Sequence, residues 1–222
     1  MNLFWLAGIL TAAAAEWIAV GMSWVRVRRV TKPLTMILIV TWFSLEGGWQ
    51  GNLFWFGLGL TVSLAGDILL LLPPRFFLGG LAAFLTAHIF YILGFTGQTA
   101  PVIRWEGLLI SAVIGLLALR FGRPIAAGAR RKSGGKMMIP VIFYLTVISL
   151  MVITALLTLF NPAWPALTAR TTAAGALLFM LSDTLLGTRQ FVRRVRYDSV
   201  LIMITYHAAQ VLIALGALLA FA

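Results

Sequence analysis

Cysteine is absent from the 222 residues, which removes disulfides, thiolate metal sites and cysteine nucleophiles at once. Acidic side chains are also scarce: six Asp and Glu stand against 17 Lys and Arg, a net charge of +11. Charged residues of both signs make up only 10% of a chain that is 61% hydrophobic, with a mean hydropathy of +1.00. A water-soluble domain this poor in polar groups would aggregate, so the bilayer is the solvent. Strict apolar-polar alternation is missing as well, which excludes barrel strands and leaves helices as the spanning element. The basic surplus would elsewhere suggest nucleic acid. Here it lies in short connections between apolar runs, so the expected partner is membrane lipid and not nucleic acid.

Apolar runs occupy residues 2–24, 33–49, 53–72, 76–95, 105–121, 138–160, 170–187 and 199–221, each near the length that spans a hydrocarbon core. The reading is an all-α polytopic membrane protein of eight transmembrane helices forming a single domain over residues 1–222. The first run lacks a charged leader and a cleavage site and reads as a retained helix. The second and fifth are the weakest, each with a carboxylate, Glu46 or Glu106, at one end. Basic residues support the count. Arg26, Arg28, Arg29 and Lys32, then Arg75, then Arg120 to Lys136, then Arg189 to Arg196 fall in alternate connections, leaving only Arg104 and Arg170 for the opposite side. Basic loops stay cytoplasmic, which puts both termini on the non-cytoplasmic side.

The two halves, about 1–103 and 104–222, resemble each other. GDILLLLPPR around Asp67 pairs with SDTLLGTR around Asp183, and each is followed by a helix with a histidine, TAHIFY and TYHAAQ. Four helices per half predict a parallel 4+4 internal repeat about an axis along the membrane normal.

Ionisable groups inside a bilayer are costly and persist mainly where they face each other or a wet cavity. Glu16, Asp67, His88, Asp183, Tyr206 and His207 qualify. At about 1.5 Å rise per residue, Asp67 and Asp183 lie about 7 Å from the cytoplasmic ends of their helices, Glu16, Tyr206 and His207 about 10–12 Å, and His88 near 18 Å. Five helices thus aim polar groups at the cytoplasmic half, which predicts one cavity entered from that side. Tyr91 shares a face with His88, and Gln210 with Tyr206. Each residue also has an ordinary structural reading. The aspartates would hydrogen-bond Lys or Arg, the histidines would bond carbonyls, and Lys32 would anchor at the interface. Glu46, Glu106 and Asp198, at helix ends, read as solvated. Trp5, Trp24, Trp49, Trp55, Trp105 and Trp164 read as interface markers.

The motifs KPLT at 32–35, GDILL around Asp67, HIFY at 88–91, SDTLL around Asp183 and YHAAQ at 206–210 resemble those of the YhhN-type lysoplasmalogenase family. Its members are similar to the mammalian alkenyl-glycerophospholipid hydrolases. The resemblance implies a bacterial inner-membrane enzyme that splits the vinyl ether bond of a lysophospholipid, giving a fatty aldehyde and glycerophosphocholine or glycerophosphoethanolamine. Vinyl ether hydrolysis begins with protonation of the outer alkene carbon, and water then adds to the oxocarbenium ion. That chemistry needs one carboxylic acid and one carboxylate, and neither a metal nor another cofactor. Asp67 and Asp183 are the expected catalytic pair. His88, Tyr91, Tyr206, His207 and Gln210 are expected to orient water and substrate, Glu16 to assist proton balance and Lys32 to meet the phosphate. Two other readings remain open on the residues alone: a lipid or small-molecule transporter with a midmembrane site, and a zinc hydrolase using His88, His207 and an aspartate.

Overall fold

The computed structural model describes residues 3–97 and 105–221. Arg104 and the junction between the proposed halves lie outside these residues. Among the described residues eight helices follow one another: α1 (Leu3–Gly21), α2 (Val25–Leu45), α3 (Leu53–Leu71), α4 (Phe77–Thr96), α5 (Trp105–Ser133), α6 (Met138–Leu157), α7 (Ala166–Gly187) and α8 (Asp198–Phe221). Successive pairs pack as antiparallel hairpins, as short connections require. α8 is central, packed on α7 and also on α1, α2 and α3, while α4 bridges to α6.

Six of the eight, all but α2 and α7, are long and apolar enough to cross a membrane. α2 opens with Arg26, Arg28, Arg29 and Lys32, and α7 carries Arg170, Asp183 and several threonines. The fifth run, expected to be weak, is among the six. Large apolar side chains such as Phe4, Leu108, Leu116 and Ile139 are mostly exposed, the surface that lipid would cover.

Two boundaries differ from the pattern of apolar runs. α2 starts at Val25 and includes the basic stretch, with Pro33 inside it. α5 continues past residue 121 to Ser133 through residues expected to form a connection. The extension is rich in Ala and Arg, good helix formers, and it has a docking surface. Ile125 and Ala129 pack with Val141 and Phe191, and Lys132 Nζ donates to the Gln190 carbonyl at 2.8 Å. The chain then reverses at Gly134 and Gly135, whose φ angles of 61° and 95° favour residues without a Cβ.

Close helix approach comes from small residues. A Cβ on Gly175 of α7 would lie 2.9 Å from Ile213 Cγ1 and 3.0 Å from the Ala209 carbonyl of α8. At the end remote from the basic loops, Trp164 is buried against Phe56, Phe95 and Phe221. It is a core residue there and not an interface marker.

Candidate active site

α3 and α7 both run toward the basic end of the bundle and present Asp67 and Asp183 near their last turns. Both side chains border one cavity of about 270 Å³, whose polar wall also includes Lys32, Tyr206 and the arginines Arg28, Arg189 and Arg194. Each aspartate follows a small residue. Gly66 lets Phe84 of α4 approach, and the Ser182 hydroxyl donates to the Ile202 carbonyl of α8 at 3.0 Å.

The two carboxylates have unlike partners. Asp67 Oδ1 faces Lys32 Nζ at 2.9 Å, and Asp67 Oδ2 accepts the Tyr206 hydroxyl at 2.8 Å. Asp183 Oδ2 accepts the Tyr144 hydroxyl and lies 3.9 Å from His88 Nε2. The His88 ring is fully buried, edge-on to Phe179 and Tyr144 with centroids 4.7 Å and 5.4 Å away. Asp67 therefore sits against an ammonium and a phenol, Asp183 against a phenol and an imidazole.

The other expected site residues divide into three groups. Tyr91 donates to Gln210 Oε1 at 2.6 Å, with Ser63 of α3 beside the same hydroxyl. This pair is fully buried and does not line the cavity. Glu16 lies behind the wall. It accepts from Arg28 Nε at 3.2 Å and from the Thr31 hydroxyl, so it holds in place an arginine that does face the cavity. His207 is turned toward α1, where its Nδ1 accepts the Trp17 indole N–H at 3.2 Å, and it does not line the chamber.

Residues 27–217 match the YhhN family. The chain belongs to the YhhN family. Its relatives include the lysoplasmalogenase TMEM86B of Mus musculus, 31% identical over 96% of this chain and 86% of the relative. A lysoplasmalogenase of Mycobacterium bovis is 32% identical over 73% of this chain and 59% of its own length. The membrane protein YhhN of Escherichia coli is 29% identical over 94% and 97%. No solved structure matches.

In this YhhN-family chain, sequence reasoning missed Tyr144, Arg28, Arg189 and Arg194. A signal for Tyr144 was available: VIFY at 141–144 repeats the IFY of HIFY at 88–91, a tyrosine among purely apolar neighbours. The arginines carried no such mark, because only the folded loop brings Arg189 and Arg194 over the chamber. Asp198, expected to be solvated, is buried. It accepts the Val195 N–H at 3.1 Å and faces Arg189 Nε at 3.8 Å, tying down that same loop. Among the described residues, no three His, Cys, Asp or Glu side chains converge as a metal site requires. His88 and His207 belong to separate clusters, so the zinc reading loses its ligand set.

Proposed function

We propose that this membrane protein hydrolyses the vinyl ether bond of lysoplasmalogens, releasing a fatty aldehyde and a glycerophospho-alcohol. The observation that carries the reading is the meeting of Asp67 and Asp183 on one chamber with different partners, in a chain related to lysoplasmalogenases along most of its length.

Unlike surroundings suit two carboxyl groups to different protonation states. Asp67, between an ammonium and a hydroxyl that both donate to it, acts as the carboxylate. Asp183, with no cation so close among the described residues, acts as the acid. Asp183 transfers its proton to the outer alkene carbon, leaving an oxocarbenium ion that the Asp67 carboxylate stabilises. Water adds to the cationic carbon and gives its proton to Asp67. The hemiacetal then collapses: Asp67 returns that proton to the departing ether oxygen, and Asp183 takes the hydroxyl proton as the aldehyde forms. Both aspartates end as they began. Tyr144 and Tyr206 hold the two carboxylates in place. Arg28, Arg189 and Arg194 bind the phosphate, leaving Lys32 to Asp67.

The same reading makes all eight helices spanning, with the basic loops cytoplasmic, both termini outside and the protein in a bacterial inner membrane. The parallel repeat draws support from matched positions. Asp67 meets a residue of the preceding helix α2 and one of α8, and Asp183 meets a residue of the preceding helix α6 and one of α4. Gly59 and Gly175 each precede an aspartate by eight residues, and each abuts the following helix.

The test is purified protein offered a lysoplasmalogen and, separately, its saturated alkyl-ether analogue, with aldehyde measured. Release from the vinyl ether alone is expected. No release from either, together with movement of lysolipid across vesicles, would make the protein a transporter.

A further inference from the structure

Asp183 borders two voids of opposite character. On one side is the chamber with its arginines. On the other is a narrow slot whose wall is apolar except for Tyr144 and Asp183 itself, bounded at its far end by Ile125, Val141 and Leu145. Beyond Leu145 begins a third void, a lipid-facing groove of about 470 Å³ between α5 and α6, floored by Gly115, Ala118, Gly122 and Ala126. Leu145 belongs to the walls of both slot and groove. Its side chain rests in the notch that Gly122 leaves, since a Cβ there would be 3.0 Å from Leu145 Cδ1.

A vinyl ether lysolipid is divided in the same way, with a phosphate on one side of the scissile bond and hydrocarbon on the other. Resting on the hydrolase reading, we infer that the alkenyl chain enters from the lipid between α5 and α6, passes Leu145, and lies in the α5–α6 groove while the vinyl ether meets Asp183. The groove has usable reach. From Gly122, where Leu145 sits, to Gly115 is roughly 10 Å along α5, about two thirds of one leaflet of a hydrocarbon core about 30 Å thick. It also runs the right way, from the basic end of the bundle toward midmembrane, as a chain anchored by a headgroup in the inner leaflet must. α5 packs chiefly on α6 and on the 188–192 turn, and Leu108, Leu116 and Leu119 on it are more than half exposed. The outer wall of the groove is thus lipid. Leucine, unbranched at Cβ, can change rotamer to admit the chain where valine or isoleucine would resist. Leu145 is in this arrangement a specificity-determining residue that reads chain shape.

Two measurements test the route. In the first, a saturated alkyl-ether lysolipid with a diazirine at the chain terminus is photolysed on the intact wild-type protein in lipid nanodiscs. Label on groove residues such as Ala118, Thr146 and Leu150 is expected, and label confined to other helices overturns the route. In the second, Leu145→Trp and Leu145→Ala are assayed with a long-chain lysoplasmalogen and with an analogue whose chain ends before Leu145. Leu145→Trp is expected to lower the long-to-short ratio of kcat/KM about tenfold, the scale of overpacking a close contact, and Leu145→Ala to improve turnover of a chain branched at that depth. Leu116→Trp, on the lipid face outside the groove, leaves the ratio unchanged. An unmoved ratio in folded Leu145→Trp overturns the route, and if that variant misfolds, Leu145→Ala with no gain on the branched chain does so by itself. The two readings fail separately. Groove labelling without aldehyde release defeats the hydrolase, and aldehyde release with labelling elsewhere defeats the route.

Discussion

Lys32 Nζ lies 2.9 Å from Asp67 Oδ1 with both side chains buried. Removing one partner of such a pair leaves the other charge without compensation, which typically costs about 3–5 kcal/mol. Lys32→Met is therefore expected to lower the thermal unfolding midpoint in detergent sharply. The double variant Lys32→Met with Asp67→Asn should recover most of it. A double variant as unstable as the single one would mean that Lys32 acts through something other than Asp67.

Asp67→Asn and Asp183→Asn keep shape and lose acid-base capacity. Each is expected to cut aldehyde release by about a hundredfold or more, the usual scale for a lost general acid or base, with normal expression. Substantial activity in either would remove that residue from the reaction.

Tyr144→Phe deletes the hydroxyl that Asp183 accepts and little else. A hydrogen bond to a charged group contributes about 1.5–3 kcal/mol, so kcat should fall roughly ten- to a hundredfold with KM nearly constant. A rise in KM at unchanged kcat would make Tyr144 a substrate-binding residue instead.

Arg194 borders the chamber at its exposed rim. Arg194→Ala is expected to raise KM for the phospholipid substrate about tenfold, with Arg194→Lys partly restoring it and high salt shrinking the difference. An alkenylglycerol without phosphate should show no such change. Equal effects on both substrates would point to a folding role for this loop.

Gly175→Ala places a methyl 2.9 Å from Ile213 Cγ1 and 3.0 Å from backbone atoms of α8. Overpacking of this kind costs about 1–3 kcal/mol, so a lower unfolding temperature is expected. Gly8→Ala, with nothing within 4 Å, should be neutral or slightly stabilising.

Much of this arrangement was legible because a bilayer makes polarity informative. The helical class followed from the long apolar runs, and the convergence of Asp67, Asp183 and Tyr206 on one cavity followed from their similar depth, whereas Lys32, expected at the phosphate, pairs with Asp67. Depth alone does not fix rotation about a helix axis. His207 shares the level of Tyr206, yet neighbours on a helix diverge by about 100°, and it faces Trp17 of α1. Glu16 is buried, but its carboxylate is taken by Arg28 and Thr31. Helix ends were the least readable feature. Basic residues that look like loop in a hydropathy pattern remain good helix formers, so α2 and α5 absorbed them.

The position of Asp183 at the seam between an arginine-rich chamber and an apolar slot bears on what happens after cleavage. On the proposed route the severed halves would face opposite ways, the glycerophospho fragment in water on the basic side and the aldehyde in hydrocarbon. Neither has to pass the other to leave. On that route a reactive carbonyl would be delivered into the membrane, where a lipid-soluble oxidising or reducing enzyme would have to collect it, and the water at the basic end would receive only the polar remnant.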